Sequence, residues 1–146
     1  MTERRLLLVN GPNLNLLGTR QPEIYGATTL AQIEQRFIEV AAEHGFDGRV
    51  VQSNHEGVLI DAIHDARADC AGIIINPGAY SHTSVAIADA LRSVDVPVVE
   101  VHLSNVHARE EYRRHSFVSE VADVVIAGAG PAGYEYAVRY FAAKLS

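Results

Sequence analysis

The sequence is short of the residues that mark several classes of protein. Its 146 residues include a single cysteine, Cys70. One cysteine excludes an intrachain disulfide framework and a zinc site built from paired cysteines. Apolar runs are also short, and none approaches the roughly 18 residues of a membrane-spanning helix. We therefore expect no structural disulfide and no membrane partner.

Basic charge is scarce and scattered. The chain has 12 Lys and Arg against 18 Asp and Glu, which gives a formal net charge of −6. Nucleic acids bind clustered basic surfaces, so no nucleic-acid partner is expected. Lys144 is the sole lysine, and any reaction that forms an imine on a lysine would depend on it. The N-terminal segment lacks the cleavage site of a signal peptide, so we expect a cytoplasmic protein.

Short runs of β-branched residues and leucine alternate with segments of helical period. This alternation predicts an α/β fold in which helices cover both faces of a parallel sheet. The predicted strands are residues 5–9, 48–52, 71–75, 97–103 and 123–127. Since the length fits one domain and no linker interrupts it, residues 1–146 are expected to form a single flavodoxin-like, doubly wound domain with strand order 2-1-3-4-5.

Local signals place helices between these strands. Thr29 and Gln32 have the spacing of a capping box, and so do Ser53 and Glu56, which predicts a helix start at each pair. A third helix is predicted over residues 83–93, and a last helix begins at Pro131, because proline suits the first helical position.

Two loops are longer than the connections of this fold need. Residues 10–28 and 104–121 exceed the about 2–6 residues that are usual there. Ligands of open α/β sheets bind beyond the carboxyl ends of the strands. We therefore expect the functional residues within 10–28, 76–83 and 102–114.

The loop after the first strand contains a tyrosine with the means to act as a base. Tyr25 and Arg20 lie on a stretch bounded by Gly18 and Gly26, which supply the backbone freedom of a lid. A nearby guanidinium favours the phenolate and lowers the pKa of a tyrosine, which makes it a general base at neutral pH. A contact at the rim of a site is the alternative interpretation of Tyr25.

The segment after the third strand has two interpretations. Asn76, Gly78 and a helix start near Thr83 offer backbone that can approach an anion closely. His82 and Asp89 are seven residues apart, which predicts that they share one face of that helix. An Asx-Pro-Gly turn followed by a capped helix accounts for the same residues without a ligand.

The fourth strand carries two polar residues where a buried strand is otherwise apolar. Glu100 and His102 are two apart, so both side chains point to the same side of the sheet. A carboxylate beside an imidazole orients the ring and raises its pKa, as an acid catalyst requires. Ser104 is a further candidate ligand, and the candidates for binding an anion are Arg109, Arg113 and Arg114.

Residues 128–133 match the dinucleotide fingerprint G-x-G-x-x-G, which favours a flavin or nicotinamide protein. That fingerprint needs a further strand and an acidic residue ~20 positions later, for which the sequence has no room. We therefore interpret the glycines as a tight turn between strand and helix. A flavodoxin-like binding or signalling module without catalysis remains the competing hypothesis, although Asn10 and Asn13 stand where a phospho-acceptor module needs acidic residues.

Three motifs occur together in a fixed order. They are N-G-P-N-L-N-L-L-G-x-R-x-P-x-x-Y-G at residues 10–26, N-P-G-A-Y-x-H-x-S at 76–84 and E-x-H-x-S-N at 100–105. With these motifs the chain resembles, over essentially its whole length, the type II 3-dehydroquinate dehydratases of the shikimate pathway. The resemblance implies a hydro-lyase that converts 3-dehydroquinate to 3-dehydroshikimate through an enolate, with no Schiff base, metal or cofactor. That reaction serves aromatic amino-acid biosynthesis or quinate catabolism.

The resemblance also implies a role for each matching residue. Tyr25 would remove the proton next to the ketone, Arg20 would hold it as a phenolate, and Asn13 would stabilise the enolate. His102, oriented by Glu100, would protonate the departing hydroxyl. The residues implied in substrate binding are Asn76, His82, Asp89, Leu103, Ser104 and Arg113. Members of this family form trimers that assemble into dodecamers, in which Asp89 would reach the site of a neighbouring subunit.

Overall fold

In the part of the chain that the structure describes, five parallel strands form one sheet in the order β2-β1-β3-β4-β5, as the sequence predicts. A computed structural model describes residues 4–19 and 21–145, with the backbone alone described at Pro22 and Tyr25. The strands are β1 (Arg4–Asn10), β2 (Phe46–Gln52), β3 (Cys70–Asn76), β4 (Val98–His102) and β5 (Val124–Ala127). Their bounds agree with the predicted ones to within two residues.

Within the described residues, five α-helices accompany the strands. They are α1 (Pro22–Tyr25), α2 (Leu30–Glu43), α3 (Glu56–Asp69), α4 (Val85–Val94) and α5 (Ala132–Lys144). Thr29 and Gln32 form the predicted capping box of α2. Among the described residues, no helix is long and apolar enough to cross a membrane.

Two local predictions about the helices are wrong. Ser53 does not cap α3: its Oγ accepts from the backbone N–H of His55, and the Glu56 carboxylate accepts from Ser84 instead. His82 and Asp89 do not share a helix face, because His82 ends a separate 3-10 segment and α4 begins at Val85. In the first case a contact outside the helix replaces the one that spacing predicts, and in the second the helix starts too late to include His82.

The sheet is buried on both faces, which explains the continuous apolar runs of its central strands. One face packs Leu6, Leu8 and Ile74 against Phe37 of α2 and Phe141 of α5. The opposite face is formed by alternate strand residues and packs against α3 and α4. Most side chains of these central strands are therefore apolar, and the polar ones at the sheet's core are Asn10, Asn76, Glu100 and His102, near the carboxyl ends.

The strand register brings the carboxyl ends of three strands side by side. Asn10 pairs with Asn76 across β1 and β3, and Ile75 pairs with Glu100 across β3 and β4. The loops that follow these three strands consequently converge at one edge of the sheet, where the sequence places the functional residues.

The glycines at residues 128–133 form the tight turn that joins β5 to α5. Gly128 and Gly130 have positive φ, and their N–H groups donate to the carbonyls of His102 and Leu103 at 3.2 and 3.0 Å. A Cβ on Gly133 would lie 3.2 Å from Val101, so α5 packs closely on β4. The turn holds the end of β4 in place.

Candidate active site

A cleft opens at the carboxyl ends of β1, β3 and β4. Two of the predicted catalytic residues, Asn13 and His102, line this cleft. The predicted substrate-binding residues in its wall are Asn76, His82, Leu103, Ser104 and Arg113. The folding of three separate loops therefore brings together most of the residues selected from the sequence.

The other predicted residues lie elsewhere or outside the described part. Arg20 lies outside the described residues, and so does the side chain of Tyr25. Asp89 is exposed on α4, where it pairs with Arg92 at 3.1 Å and does not line the cleft of its own chain. Of the anion-binding candidates Arg109 lines the cleft, as Arg113 does, whereas Arg114 is exposed outside it.

His102 and Glu100 form a hydrogen-bonded pair at the wall of the cleft. His102 Nε2 lies 2.5 Å from Glu100 Oε2, and the exposed fractions of the two residues are 7% and 0%. The two side chains point to the same side of β4, as their spacing predicts. Since Glu100 occupies Nε2, Nδ1 is the ring nitrogen that remains for proton transfer.

Two serines that the sequence analysis missed complete the surroundings of Glu100. Ser116 Oγ donates to Glu100 Oε2 at 2.7 Å, and Ser119 Oγ donates to Oε1 at 2.5 Å. Burial by itself raises the pKa of Glu100, but hydrogen bonds from His102 and the serines outweigh it and hold the pKa below its ordinary value. Glu100 is therefore a carboxylate at neutral pH, which accepts from the protonated Nε2 of His102.

Asn76 is held by a buried tyrosine. Tyr134 donates its hydroxyl to Asn10 Oδ1 and accepts from Asn76 Nδ2, both at 3.0 Å, while Gly78 N–H donates to Asn76 Oδ1 at 3.1 Å. Burial raises the pKa of Tyr134, so the phenol stays neutral and keeps the proton that it donates. Among the described residues, Asn10 Nδ2 is the one buried side-chain polar atom without a hydrogen-bond partner.

Asn13 occupies a left-handed backbone conformation at the mouth of the cleft. Its φ is 68°, and its N–H donates to Asn54 Oδ1 at 2.9 Å. Tyr80 donates its hydroxyl to the carbonyl of Asn54 at 2.6 Å, so Asn54 connects the loop after β1 with the loop after β3. Those two loops also meet directly, since a Cβ on Gly11 would lie 2.2 Å from the carbonyl oxygen of Pro77.

The remaining cleft residues are oriented by the loop after β4. His82 Nδ1 lies 2.7 Å from the carbonyl oxygen of His115. A carbonyl only accepts, so Nδ1 carries a proton and the neutral ring presents Nε2 as an acceptor. Arg113 Nε donates to Glu110 Oε2 at 2.8 Å, and Arg109 Nη1 donates to Ser104 Oγ at 3.3 Å. The cleft thus offers cationic and amide groups suited to a small polar anion.

Comparison with known proteins gives a consistent result. Residues 4–142 match the model of the family "Dehydroquinase class II". A 3-dehydroquinate dehydratase of Cereibacter sphaeroides is 63% identical over 134 residues, which cover 92% of this chain and 91% of that protein. A catabolic 3-dehydroquinase of Penicillium rubens is 58% identical, and the match covers 94% of this chain and 88% of that protein. The crystal structure of the type II dehydroquinase from Propionibacterium acnes superposes with a TM-score of 0.93 at 45% identity. The match covers 97% of this chain and 98% of that chain.

The lowered pKa of Glu100 predicts a contribution to stability that depends on pH. Because the unfolded chain has the higher pKa, about 4.3, it binds more protons in acid than the folded protein does. The contribution is therefore present above that pKa and is lost as the pH falls through the folded value. We expect Glu100→Gln to flatten the acid fall of the free energy of unfolding by up to about 1.4 kcal/mol per pH unit. Urea titrations from about pH 6 to pH 2 measure this slope. Glu39→Gln, at an exposed position, serves as the control. An unchanged slope in Glu100→Gln would contradict the prediction.

Proposed function

The chain belongs to the class II dehydroquinases, and from that premise we propose how its cleft performs their reaction. Its activity is that of a 3-dehydroquinate dehydratase, a hydro-lyase that converts 3-dehydroquinate to 3-dehydroshikimate. The observation that carries the proposal is the imidazole of His102, held 2.5 Å from a buried carboxylate in the wall of the cleft. An acid fixed in this way is suited to protonate a leaving hydroxyl.

In the first proposed step, Tyr25 removes the proton next to the ketone. The sequence supports this role, because Arg20 lies five residues before Tyr25 and a guanidinium close to a tyrosine favours the phenolate. The electrons of the broken C–H bond move into the carbonyl and form an enolate. Asn13, whose backbone Asn54 fixes, stabilises the negative oxygen through an ordered water.

In the second proposed step, the enolate collapses and expels the hydroxyl on the neighbouring carbon. That hydroxyl takes the proton of His102 and leaves as water, which completes the elimination. Glu100 acts through His102: it orients the ring and its negative charge stabilises the protonated imidazole. Neither step requires a metal or a redox group.

Substrate binding is assigned to the remaining cleft residues. Arg113 and the backbone N–H groups of Leu103 and Ser104 are suited to the carboxylate of the substrate, because guanidinium and backbone N–H groups only donate hydrogen bonds. Asn76 and His82 then bind the hydroxyls, and their own protein contacts fix both side chains. The substrate is thereby oriented between Asn13 and His102.

The position of Lys144 argues against an imine mechanism. This sole lysine ends α5 and lines a surface hollow with Val96 and Pro97, which precede β4. The cleft lies beyond the opposite, carboxyl end of the same strand. No lysine therefore reaches the substrate ketone from within the chain.

The direct test is turnover of 3-dehydroquinate, followed by the ultraviolet absorbance of the enone carboxylate product. We expect product, and we expect activity to survive treatment of the enzyme and substrate mixture with borohydride, which would trap an imine. Lys144→Arg serves as the matched control and should retain full activity. Folded protein that yields no product would contradict the dehydratase function and favour a binding module, whereas inactivation with covalent substrate on Lys144 would contradict the enolate mechanism.

Replacing Tyr25 tests the proposed base. Tyr25→Phe removes the ionisable oxygen but keeps the ring, so kcat should fall at least about 100-fold while KM changes little. Steady-state kinetics with Tyr136→Phe as the control separates this effect from general damage, because Tyr136 is exposed on α5. An unchanged kcat would remove Tyr25 from the mechanism.

The proposed assembly is a dodecamer of four trimers. Asp89 supports it, because this residue lies outside the cleft of its own chain and can serve a site only in a second copy. Sedimentation should give a mass about twelve times the 15.8 kDa of the chain, and Asp89→Ala should raise KM roughly tenfold with Asp65→Ala as control. A fully active monomer would contradict this assembly.

A further inference from the structure

The Glu100 carboxylate receives three hydrogen bonds although it is fully buried. His102 and Ser116 both bind Oε2, at 2.5 and 2.7 Å, and Ser119 binds Oε1 at 2.5 Å. The ion pair of Glu100 is with His102. Two of the three donors are thus neutral hydroxyls that neither touch the cleft nor belong to the motifs of the sequence analysis.

A buried pair of this kind has two ways to hold the same two protons. In the ionic form Glu100 is a carboxylate and His102 is an imidazolium. In the neutral form the Nε2 proton has moved to Glu100, and a neutral imidazole keeps its proton on Nδ1. A neutral imidazole is a far weaker acid than an imidazolium, so only the ionic form can protonate a leaving hydroxyl.

Burial by itself favours the neutral form. The free energy needed to remove two charges from water often exceeds the free energy gained from their attraction. Hydrogen bonds to a carboxylate oppose this by stabilising its charged form. Each donor on Glu100 therefore favours the ionic form of the pair.

We propose that Ser116 and Ser119 are positioning residues that keep Glu100 anionic, so that both protons of the pair stay on His102. The inference rests on the proposed role of His102 as the acid. It adds the hydroxyl groups that select the acid form of the pair.

The loop that carries the serines is held in place independently of Glu100. Phe117 N–H donates to the carbonyl of Ser81 at 2.8 Å, and the carbonyl of His115 binds His82. Ser119 N–H lies 3.4 Å from Ser116 Oγ. The two hydroxyls are therefore delivered to Glu100 by a segment that the β3 loop anchors.

Other charged groups near this face do not replace the serines. The neighbouring strands place Ile75 and Val125 in register with Glu100. On α4, Asp89 and Arg92 are exposed and pair with each other, and Arg92 also pairs with Glu120. Of the ionisable side chains of the adjoining loops, His82, Arg109 and Arg113 line the cleft, whereas Arg114, His115 and Glu120 are exposed.

The test compares wild type with Ser116→Ala/Ser119→Ala by infrared spectroscopy and by kinetics. We expect the double variant to show the C=O band of a protonated buried carboxyl near neutral pH, a band that wild type lacks and that adding Glu100→Gln abolishes. We also expect kcat to fall at least about tenfold with KM within about twofold. The band reports the position of the proton and does not depend on turnover.

Matched variants separate a lost hydroxyl from lost packing. Ser119→Thr keeps the hydroxyl at the exposed position and should keep wild-type kcat and no band. Ser93→Ala removes a serine hydroxyl that binds only its own helix, at the carbonyl of Asp89, and should also match wild type. If the double variant does not fold, Ser119→Ala alone should give a smaller change of the same kind.

An unchanged kcat without the band would overturn the inference, and so would a loss of kcat with a raised KM but no band, which indicates structural damage. If wild type did not dehydrate 3-dehydroquinate while the double variant showed the band, the proposed function would fail and the assignment of the proton to His102 would stand.

Discussion

The structure depends on one constraint: polar side chains at the carboxyl ends of buried parallel strands take their hydrogen-bond partners from the protein itself. Asn10, Asn76 and Glu100 end or nearly end three adjacent strands and are between 0% and 3% exposed. Their partners come from far along the chain, such as Tyr134 on α5 and the serines after β4. Because an unpaired buried polar group costs about 1–3 kcal/mol, these partners stabilise the fold and orient the cleft with the same bonds.

This constraint explains the length of the loop after β4. Within it, Ser116 and Ser119 donate to Glu100, the carbonyl of His115 fixes His82, and Arg113 lines the cleft. A connection of about 2–6 residues joins a strand to a helix but has no groups left for these tasks. The extra residues are therefore part of the site, and a shortened loop would lose donors to a buried carboxylate.

Sequence reasoning succeeded where a local period or motif determines the position of a side chain. The positions of the strands, the shared side of Glu100 and His102, and the convergence of Asn13, Asn76 and Arg113 all follow from periodicity and from the rule for strand ends. It failed where the partner is remote. Tyr134 matches the apolar stripe of α5 and gives no sign of its bond to Asn76, 58 residues away, and Ser116 lies in an irregular loop without a period. The false capping box at Ser53 has the same cause, since the Glu56 carboxylate binds Ser84 from another segment.

The glycine motif at residues 128–133 shows why such partners also decide function. In a dinucleotide-binding turn, free backbone N–H groups at the start of a helix receive the pyrophosphate. Here the N–H groups of Gly128 and Gly130 donate to the carbonyls of His102 and Leu103. An N–H group that already donates within the chain can bind a phosphate only if its hydrogen bond to the carbonyl breaks. In this chain that release would detach the end of β4, which carries His102, so the motif that resembles a cofactor site instead holds the proposed acid in place.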